Sequence, residues 1–343
     1  MHRDGNGPAR AGGRSVLSAV VVALVAGLVL AGCGGSSTPS ATSSATSSGT
    51  WSAPDHPERA GLPAGYASIY GVSCPSATFC AAVDESGDAL FWNGSRWSAP
   101  ATASPDGTLN SVSCTSSTFC VALSSQEAVT WNGRTWSTSV AVGPAPTGPT
   151  GGEYEVSCVS PTFCASVSTA GVVALFDGTT WSHDAVVDDG TAAKPVQNIS
   201  CATTTFCVVV SATGNIATYD GSSWSRQASP GQSLLHSVSC PTPTFCMAVD
   251  LTGHALTFDG STWAPAPPIP GAVALTYSVS CPTAAFCQVA RSDGSVATWR
   301  SGAWAGTVPV LDSGVLATAD ISCATTTFCA LVGSAGSVAV YRG

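Results

Sequence analysis

The cysteines are the residues whose spacing points most directly to chemistry. Of the fifteen cysteines, fourteen form seven pairs with the spacing Cys-x5-Cys. The pairs are Cys74 and Cys80, Cys114 and Cys120, Cys158 and Cys164, Cys201 and Cys207, Cys240 and Cys246, Cys281 and Cys287, and Cys323 and Cys329. Such a pair across a β-hairpin can form a disulfide, whereas a structural zinc site wants a closer pair plus two further ligands. The five histidines keep no fixed offset from the pairs, so we expect seven disulfides and no metal.

A second set of residues could bind a ligand or move a proton. Four positions before the first cysteine of each pair stand Tyr70, Asn110, Tyr154, Gln197, His236, Tyr277 and Ala319, with Asp320 next to the last. Four positions after the second cysteine stand Asp84, Asp250 and Arg291 in three of the pairs. Tyr, amide, His and acid groups could recognise a partner, and a histidine coupled to a carboxylate could act as an acid or base. The alternative is a solvated rim with incidental tyrosines.

A repeat of about forty residues must position both sets. The first cysteines of successive pairs are 40, 44, 43, 39, 41 and 42 residues apart. A complete unit holds the cysteine pair, a small-apolar run, a Gly-containing turn, an alternating run that ends in an aromatic residue, an Asp-Gly-like turn and a Trp, most clearly over 240–263. This period, with only strand signals, is typical of a propeller blade. We therefore predict an all-β, seven-bladed β-propeller of four-stranded antiparallel blades over residues 49–343.

The two ends of the repeat array complete each other. Residues 49–52, Gly-Thr-Trp-Ser, match the end of a unit but have no cysteine pair before them. The last unit, 321–343, stops before its Trp strand. We expect the N-terminal strand around Trp51 to join the last blade as its outermost strand, which closes the ring and removes an exposed sheet edge.

The recurring aromatic and serine positions favour structural roles. All ten Trp fall at repeat positions, three at the end of the third strand and seven in the fourth. They could stack on a ligand, but residues copied into every blade are more typical of core. A Ser precedes the first cysteine in all seven units: Ser73, Ser113, Ser157, Ser200, Ser239, Ser280 and Ser322. A catalytic nucleophile would not be copied seven times, so we interpret these as small residues near a crowded channel.

The loops divide into two faces. With strands A to D numbered from the channel outward, the A-to-B and C-to-D connections lie on one side, here the turn face, and are nearly invariant. The D-to-A and B-to-C connections lie on the other, here the variable face, and differ in length and composition, as in 138–153, 183–197 and 264–277. Function tends to sit on variable loops over a rigid scaffold. We therefore place the candidate binding site at the channel mouth on the variable face.

One turn resembles a known family. The hairpins at 176–181, 219–224 and 258–263, with the pattern aromatic-Asp-Gly-x-x-Trp, resemble the Asp-box hairpin of sialidase-type propellers. That box also joins strands C and D, but it separates Asp from Gly by one residue, and Asn93 and Asn132 replace the Asp in two blades. The resemblance implies a propeller. Sialidase chemistry would need a cluster of inward arginines, an acid and a Tyr nucleophile, and this grouping is not evident in the sequence.

The N-terminal region predicts export and anchoring. Residues 15–30 form an apolar run after a segment that contains three Arg. Sixteen residues are short for a membrane span and fit a signal peptide. The sequence Leu-Ala-Gly-Cys that ends at Cys33 resembles a bacterial lipoprotein box, which implies lipidation of Cys33 after removal of 1–32; the alternative is an ordinary signal peptide with an incidental cysteine. Residues 33–48 then form a Ser/Thr-rich tether.

Composition excludes one class of partner. Only 9% of residues are charged and the net charge is −9, so the chain lacks the basic footprint of nucleic-acid binding. We expect a surface-anchored, non-enzymatic, monomeric lipoprotein, attached to the membrane by its lipid, without a cofactor, that presents a propeller face to a protein, peptide or glycan. The alternative is an extracellular hydrolase or lyase of the sialidase-like class acting on a sugar or ester, with His236, Asp250 and nearby Tyr as acid and base.

Overall fold

The predicted propeller is the fold of the chain. A computed structural model describes residues 49–57, 67–105, 107–142, 154–188, 195–231, 234–271, 275–312 and 319–343. These form seven separate four-stranded antiparallel sheets arranged as blades. Residues 1–48, which contain the predicted signal peptide, Cys33 and the tether, lie outside the described residues. Within the described residues, no helix is long and apolar enough to cross a membrane.

The strands follow the repeat in chain order. Blade 1 contains β2 (Ile69–Ser76), β3 (Phe79–Asp84), β4 (Asp88–Trp92) and β5 (Ala101–Thr102). Blade 2 contains β6 (Ser111–Ser116), β7 (Phe119–Leu123), β8 (Glu127–Trp131) and β9 (Val140–Ala141). Blade 3 contains β10 (Tyr154–Ser160), β11 (Phe163–Ser168), β12 (Val172–Phe176) and β13 (Trp181–Val186). Blade 4 contains β14 (Val196–Thr203), β15 (Phe206–Ser211), β16 (Asn215–Tyr219) and β17 (Trp224–Ala228).

The remaining blades keep the same order until the chain closes. Blade 5 contains β18 (Leu235–Thr242), β19 (Phe245–Asp250), β20 (Ala255–Phe258) and β21 (Trp263–Pro265). Blade 6 contains β22 (Thr276–Thr283), β23 (Phe286–Arg291), β24 (Ser295–Arg300) and β25 (Ala303–Pro309). Blade 7 contains β26 (Ala319–Thr325), β27 (Phe328–Gly333) and β28 (Ser337–Arg342), and its fourth strand is β1 (Thr50–Trp51).

This fourth strand confirms the predicted closure of the ring. In β1, Thr50 pairs with Arg342 and Trp51 pairs with Tyr341. The Trp51 and Tyr341 ring centroids are 5.6 Å apart. The pairing continues past β1, because Asp55 exchanges backbone hydrogen bonds of 2.8 and 2.9 Å with Val338. The two ends of the chain are therefore held together in one sheet.

The core lies between the blades. Side chains alternate along each strand, so Cys80 and Ala82 of β3 pack against blade 7 while Ala81 and Val83 pack against blade 2. Seven clusters of buried residues, one at each blade interface, repeat this arrangement around the ring. The predicted structural role of the cysteine pairs is also confirmed. All seven form disulfides within a blade, with Cα–Cα distances of 3.9 to 4.1 Å.

Tight C-to-D turns fix the outer strands. Asp177, Asp220 and Asp259 each accept hydrogen bonds from the backbone N–H and hydroxyl groups of the two residues after the glycine. Bonds from the Ser222 hydroxyl and from the Ser223 and Ser222 backbone lower the pKa of Asp220 to about 2. The following glycine adopts a positive φ angle, 95° at Gly221, which other residues adopt with strain. These aspartates are therefore committed to the scaffold.

The repeated serines connect the blades. Each Ser Oγ accepts a hydrogen bond of 2.9 or 3.0 Å from the backbone N–H of the first cysteine of the next blade. All seven interfaces contain this bond, including the closing one, where the Cys74 N–H donates to Ser322. Adjacent inner strands diverge and do not pair by a ladder, so a side-chain acceptor satisfies the N–H that faces the next blade. The structural interpretation of these serines explains why they recur.

Candidate binding site at the channel mouth

A cavity of about 350 Å³ lies where the inner strands begin. Six of the ten residues predicted from the sequence line it: Tyr70, Asn110, Gln197, His236, Tyr277 and Asp320. They come from six different blades, and Ala319 of blade 7 lines it as well. Tyr154 begins β10 at the equivalent position, but its side chain lies outside what the structure describes. We call this space the channel-mouth cavity.

Four of the inner strands carry a bulge at the level of the cavity. In blades 1, 4, 5 and 6 the A-to-B register shifts across one residue, which is Tyr70, Gln197, His236 or Tyr277. A bulge adds an unpaired residue and redirects its side chain. The residues four and three positions before the first cysteine both line the cavity, as Gln197 and Asn198 do in a blade with a bulge and as Ala319 and Asp320 do in blade 7, which has no bulge there.

His236 is fixed by its neighbour on blade 6. Its Nδ1 lies 2.7 Å from the carbonyl oxygen of Tyr277, so Nδ1 carries the proton and donates it. The two rings meet edge to face, with centroids 5.8 Å apart. Burial lowers the pKa of His236, although the carbonyl contact opposes the shift. The ring is therefore neutral at neutral pH, and Nε2 carries a lone pair.

Asp320 joins three blades at the floor of the cavity. Its Oδ2 accepts a 2.8 Å hydrogen bond from the Val72 N–H of blade 1, and its Oδ1 accepts a 2.6 Å bond from the Ser278 hydroxyl of blade 6. Oδ1 also accepts from the Ile321 N–H at 2.9 Å. Burial raises the pKa of Asp320 despite these bonds. The equivalent Asn198 Oδ1 accepts from the Val238 N–H at 3.2 Å, so this position also connects neighbouring blades.

Two further features shape the rim. The Tyr70 hydroxyl donates to Glu85 Oε2 at 3.2 Å, which ties the inner strand to the β3–β4 turn. A side chain at Gly71 would place Cβ 3.2 Å from Ser111 Cα and from Val112 N, so glycine allows blades 1 and 2 to approach closely here. Sequence reasoning missed Glu155 and Asn198, which also line the cavity. Their shared offset of three residues before the cysteine, the same as that of Asp320, was the available signal.

The other three predicted site residues lie outside the cavity. Asp84 and Asp250 are fully buried, and each accepts two backbone N–H bonds of 2.8 to 2.9 Å that hold its B-to-C turn. Arg291 is 4% exposed and donates to the Pro270 carbonyl at 2.9 Å. Strand B is one strand away from the channel, and these side chains stabilise turns and loops of the variable face. Each pairs with the residue just before a cavity-lining one, Asp84 with Ile69, Asp250 with Leu235 and Arg291 with Thr276, so the three lie beside that ring as predicted but do not line the cavity. Their role in binding stays a prediction.

The pair required by the hydrolase hypothesis is not assembled. His236 hydrogen-bonds the Tyr277 carbonyl, while Asp250 Oδ2 lies 2.9 Å from Nδ1 of His254, four residues along the same blade. Among the described residues, no group of three or more His, Cys, Asp and Glu side chains is arranged to hold a metal ion. The cavity therefore presents hydrogen-bonding and aromatic groups without a coupled histidine and carboxylate.

A second, wider cavity lies on the turn face between blades 1 and 2. Its volume is about 840 Å³, and Phe79, Phe91 and Trp131 line it together with A-to-B turn residues. Phe91 and Trp131 have centroids 4.6 Å apart. This cavity provides a natural comparison for experiments on the channel mouth.

The fold and the cavity define the chain as a seven-bladed propeller with a polar channel mouth. No protein-family model matches the chain, and no curated protein sequence matches it. Among solved structures it is similar to YCF48 from Cyanidioschyzon merolae, with a TM-score of 0.63, 13% identity, and coverage of 85% of this chain and 99% of that one.

Two further structures share the fold. A structure of YCF48 bound to D1 peptide has a TM-score of 0.62 and 15% identity over 85% of this chain and 97% of that one. The WD40 β-propeller domain of Doa1 has a TM-score of 0.64 and 12% identity over 82% of this chain and 94% of that one. At identities this low, the structural similarity shows the shared fold alone.

Proposed function

We propose that the protein is a non-enzymatic binding scaffold that holds an extended segment of a protein partner at the channel-mouth cavity. The observation that carries this proposal is a contrast between the residues that repeat in every blade and the residues that differ from blade to blade. Residues that repeat in every blade form disulfides, core and interblade hydrogen bonds, whereas residues that differ between blades converge on one cavity. A cavity of this volume, lined by aromatic and polar groups, is suited to a ligand side chain or a short segment.

The fold comparison supports a peptide as the partner. YCF48, a propeller of similar fold, has been solved bound to D1 peptide. We extend peptide binding to this chain as a proposal, together with export, lipidation at Cys33 and attachment to a bacterial membrane by residues 33–48. A rigid propeller on a tether would present its variable face to partners outside the cytoplasm.

The proposal is tested by cross-linking on intact cells and identification of what co-purifies. Affinity for the recovered partner is then measured for the wild type, for Tyr70→Ala with Tyr277→Ala, and for Arg96→Ala with Arg134→Ala. The arginines are exposed in turn-face hairpins, so they form a control pair on the opposite face. We expect the tyrosine pair to lose at least about tenfold in affinity, since central aromatic residues dominate contact energies.

The opposite pattern would contradict the proposal. Unchanged affinity in the folded tyrosine variant, with loss in the arginine variant, would move the site to the turn face. Turnover of a sugar or ester substrate that depends on His236 would instead favour the hydrolase hypothesis.

A further inference from the structure

Two groups that line the channel-mouth cavity have a fixed hydrogen-bonding direction. His236 Nδ1 donates its proton to the Tyr277 carbonyl, so Nε2 of the same ring can only accept. Asn198 Oδ1 accepts the Val238 N–H at 3.2 Å, so the other end of this carboxamide, Nδ2, can only donate. Both residues line the cavity. The cavity therefore contains one acceptor and one donor whose roles are set by the fold.

The orientation of Asn198 follows from a link between blades that recurs around the ring. Three positions before the first cysteine, the side-chain oxygens of Ser111, Ser237 and Asp320 also accept a backbone N–H from the next blade. A carboxylate in this position offers only acceptor atoms, as Asp320 does, whereas the carboxamide of Asn198 adds two N–H donors. Asn198 is therefore held at one end by the scaffold and can donate at the other.

The fixed donor and the fixed acceptor belong to neighbouring points of one strand. Asn198 reaches β18 at Val238, and His236 lies two residues earlier on the same strand. Two residues along a strand span about 6–7 Å. A primary carboxamide can bridge such anchor points, because it presents a C=O and an N–H on one edge and each hydrogen bond adds about 2.9 Å. A trans peptide group directs its C=O and N–H to opposite sides, so the backbone of an extended segment lacks this pattern.

Other ligand groups satisfy only part of this pair. A carboxylate would place an oxygen lone pair against the lone pair of His236 Nε2. An ammonium or guanidinium group has no acceptor for Asn198 Nδ2, and an apolar side chain leaves both groups unpaired. Leaving such a group unpaired away from water costs binding free energy. The carboxamides of Asn110 and Gln197 can turn either to donate or to accept, and they suit the same neutral ligand.

We propose that the channel-mouth cavity takes a primary carboxamide, the side chain of a glutamine or asparagine of the partner segment. This inference rests on the proposed function and specifies its ligand. The carboxamide oxygen accepts from Asn198 Nδ2, and its NH2 group donates to His236 Nε2. A volume of about 350 Å³ accommodates one such side chain. Recognition of the segment then depends on an inserted amide and not on its charge.

The experiment uses the full chain and four peptides, acetyl-Gly-Gly-Xaa-Gly-Gly-methylamide, with Xaa as Gln, Glu, the methyl ester of Glu, or Met. The ester keeps the carbonyl oxygen without charge but lacks the N–H donor, and Met has a similar shape without either group. Binding is measured by NMR titration. We expect the Gln peptide to bind about three- to tenfold more tightly than the ester peptide, because one hydrogen bond is lost. The Glu and Met peptides should bind at least about tenfold more weakly than the Gln peptide.

Two matched variants locate the donor. Asn198→Asp keeps the acceptor for Val238 and replaces Nδ2 by an oxygen, so it should bring the Gln and Met affinities within about threefold of each other. Blade 7 carries Asp320 in the equivalent position, so the fold tolerates aspartate there. Asn132→Asp makes the same change in a turn where other blades carry aspartate, and it should leave the Gln-to-Met ratio unchanged. The comparison of peptides on the wild type does not depend on either variant.

The outcomes separate the two proposals. Equal binding of the four peptides, lost in the Tyr70→Ala and Tyr277→Ala variant, would overturn the carboxamide inference and leave peptide binding at the mouth intact. Tightest binding of the Glu or Met peptide would overturn the inference as well. Equal binding that persists in the tyrosine variant, or failure of all four peptides to bind, would overturn both proposals.

Discussion

The hydrogen bonds between neighbouring inner strands should each contribute measurably to stability. The chosen change is Ser280→Ala, which removes the acceptor of the Cys323 N–H, 2.9 Å away, at the interface of blades 6 and 7. Alanine preserves the small shape, so the change reports on the hydrogen bond and little else. Cys323 is 9% exposed, and the orphaned N–H has little access to water.

The expected cost follows from this burial. Leaving a buried donor unsatisfied costs about 1–3 kcal/mol, and partial access to the channel places this bond at about 1–2 kcal/mol. Ser113→Ala removes the equivalent bond to Cys158 at the interface of blades 2 and 3. The two sites share no partners, so the double variant should lose about 2–4 kcal/mol.

The assay is equilibrium urea unfolding with the disulfides intact. The control is Ser225→Ala, an exposed serine in the outer strand β17, which should change the free energy of unfolding by less than about 0.5 kcal/mol. A free energy of unfolding for Ser280→Ala equal to that of Ser225→Ala would refute the reasoning. A double variant no less stable than the single one would refute it too.

Three further predictions concern closure, covalent chemistry and pH. Deletion of 49–54 should lower the melting temperature because it removes β1 and the Trp51 contact with Tyr341. Deletion of 34–46 should leave the melting temperature unchanged. Equal melting temperatures for the two deletions would contradict the closure of the ring by β1. Mass spectrometry of the exported protein should find lipid on Cys33, and Cys33→Ala should release the folded protein from membranes; continued retention would contradict the anchor. Burial raises the pKa of Asp320 above its unfolded value, so the free energy of unfolding should decrease as pH rises from about 4 through the raised pKa. Asp320→Asn should remove this pH dependence. Equal slopes of the free energy against pH in the wild type and the variant would contradict the assignment to Asp320.

The sequence by itself determined the architecture, because the relevant signals are local and repeated seven times. Each disulfide joins cysteines six residues apart in one hairpin, so the pairing requires no knowledge of distant contacts. The missing Trp strand of the last unit and the unmatched Trp51 at the start predicted the closure that pairs Thr50 with Arg342. The offset of four residues before the cysteine also predicted which side chains meet at the mouth.

Only the tertiary structure decided how those side chains are held. The A-to-B register skips Tyr70, Gln197, His236 and Tyr277, whereas Ala319 at the same offset pairs with Gly333, and this difference between blades appears only in the structure. Asp84 and Asp250 lie next to the ring of cavity-lining residues but outside the cavity, because their own turns satisfy their carboxylates. The bond from Val72 to Asp320 joins residues 248 positions apart, and such a contact exists only once the ring has closed.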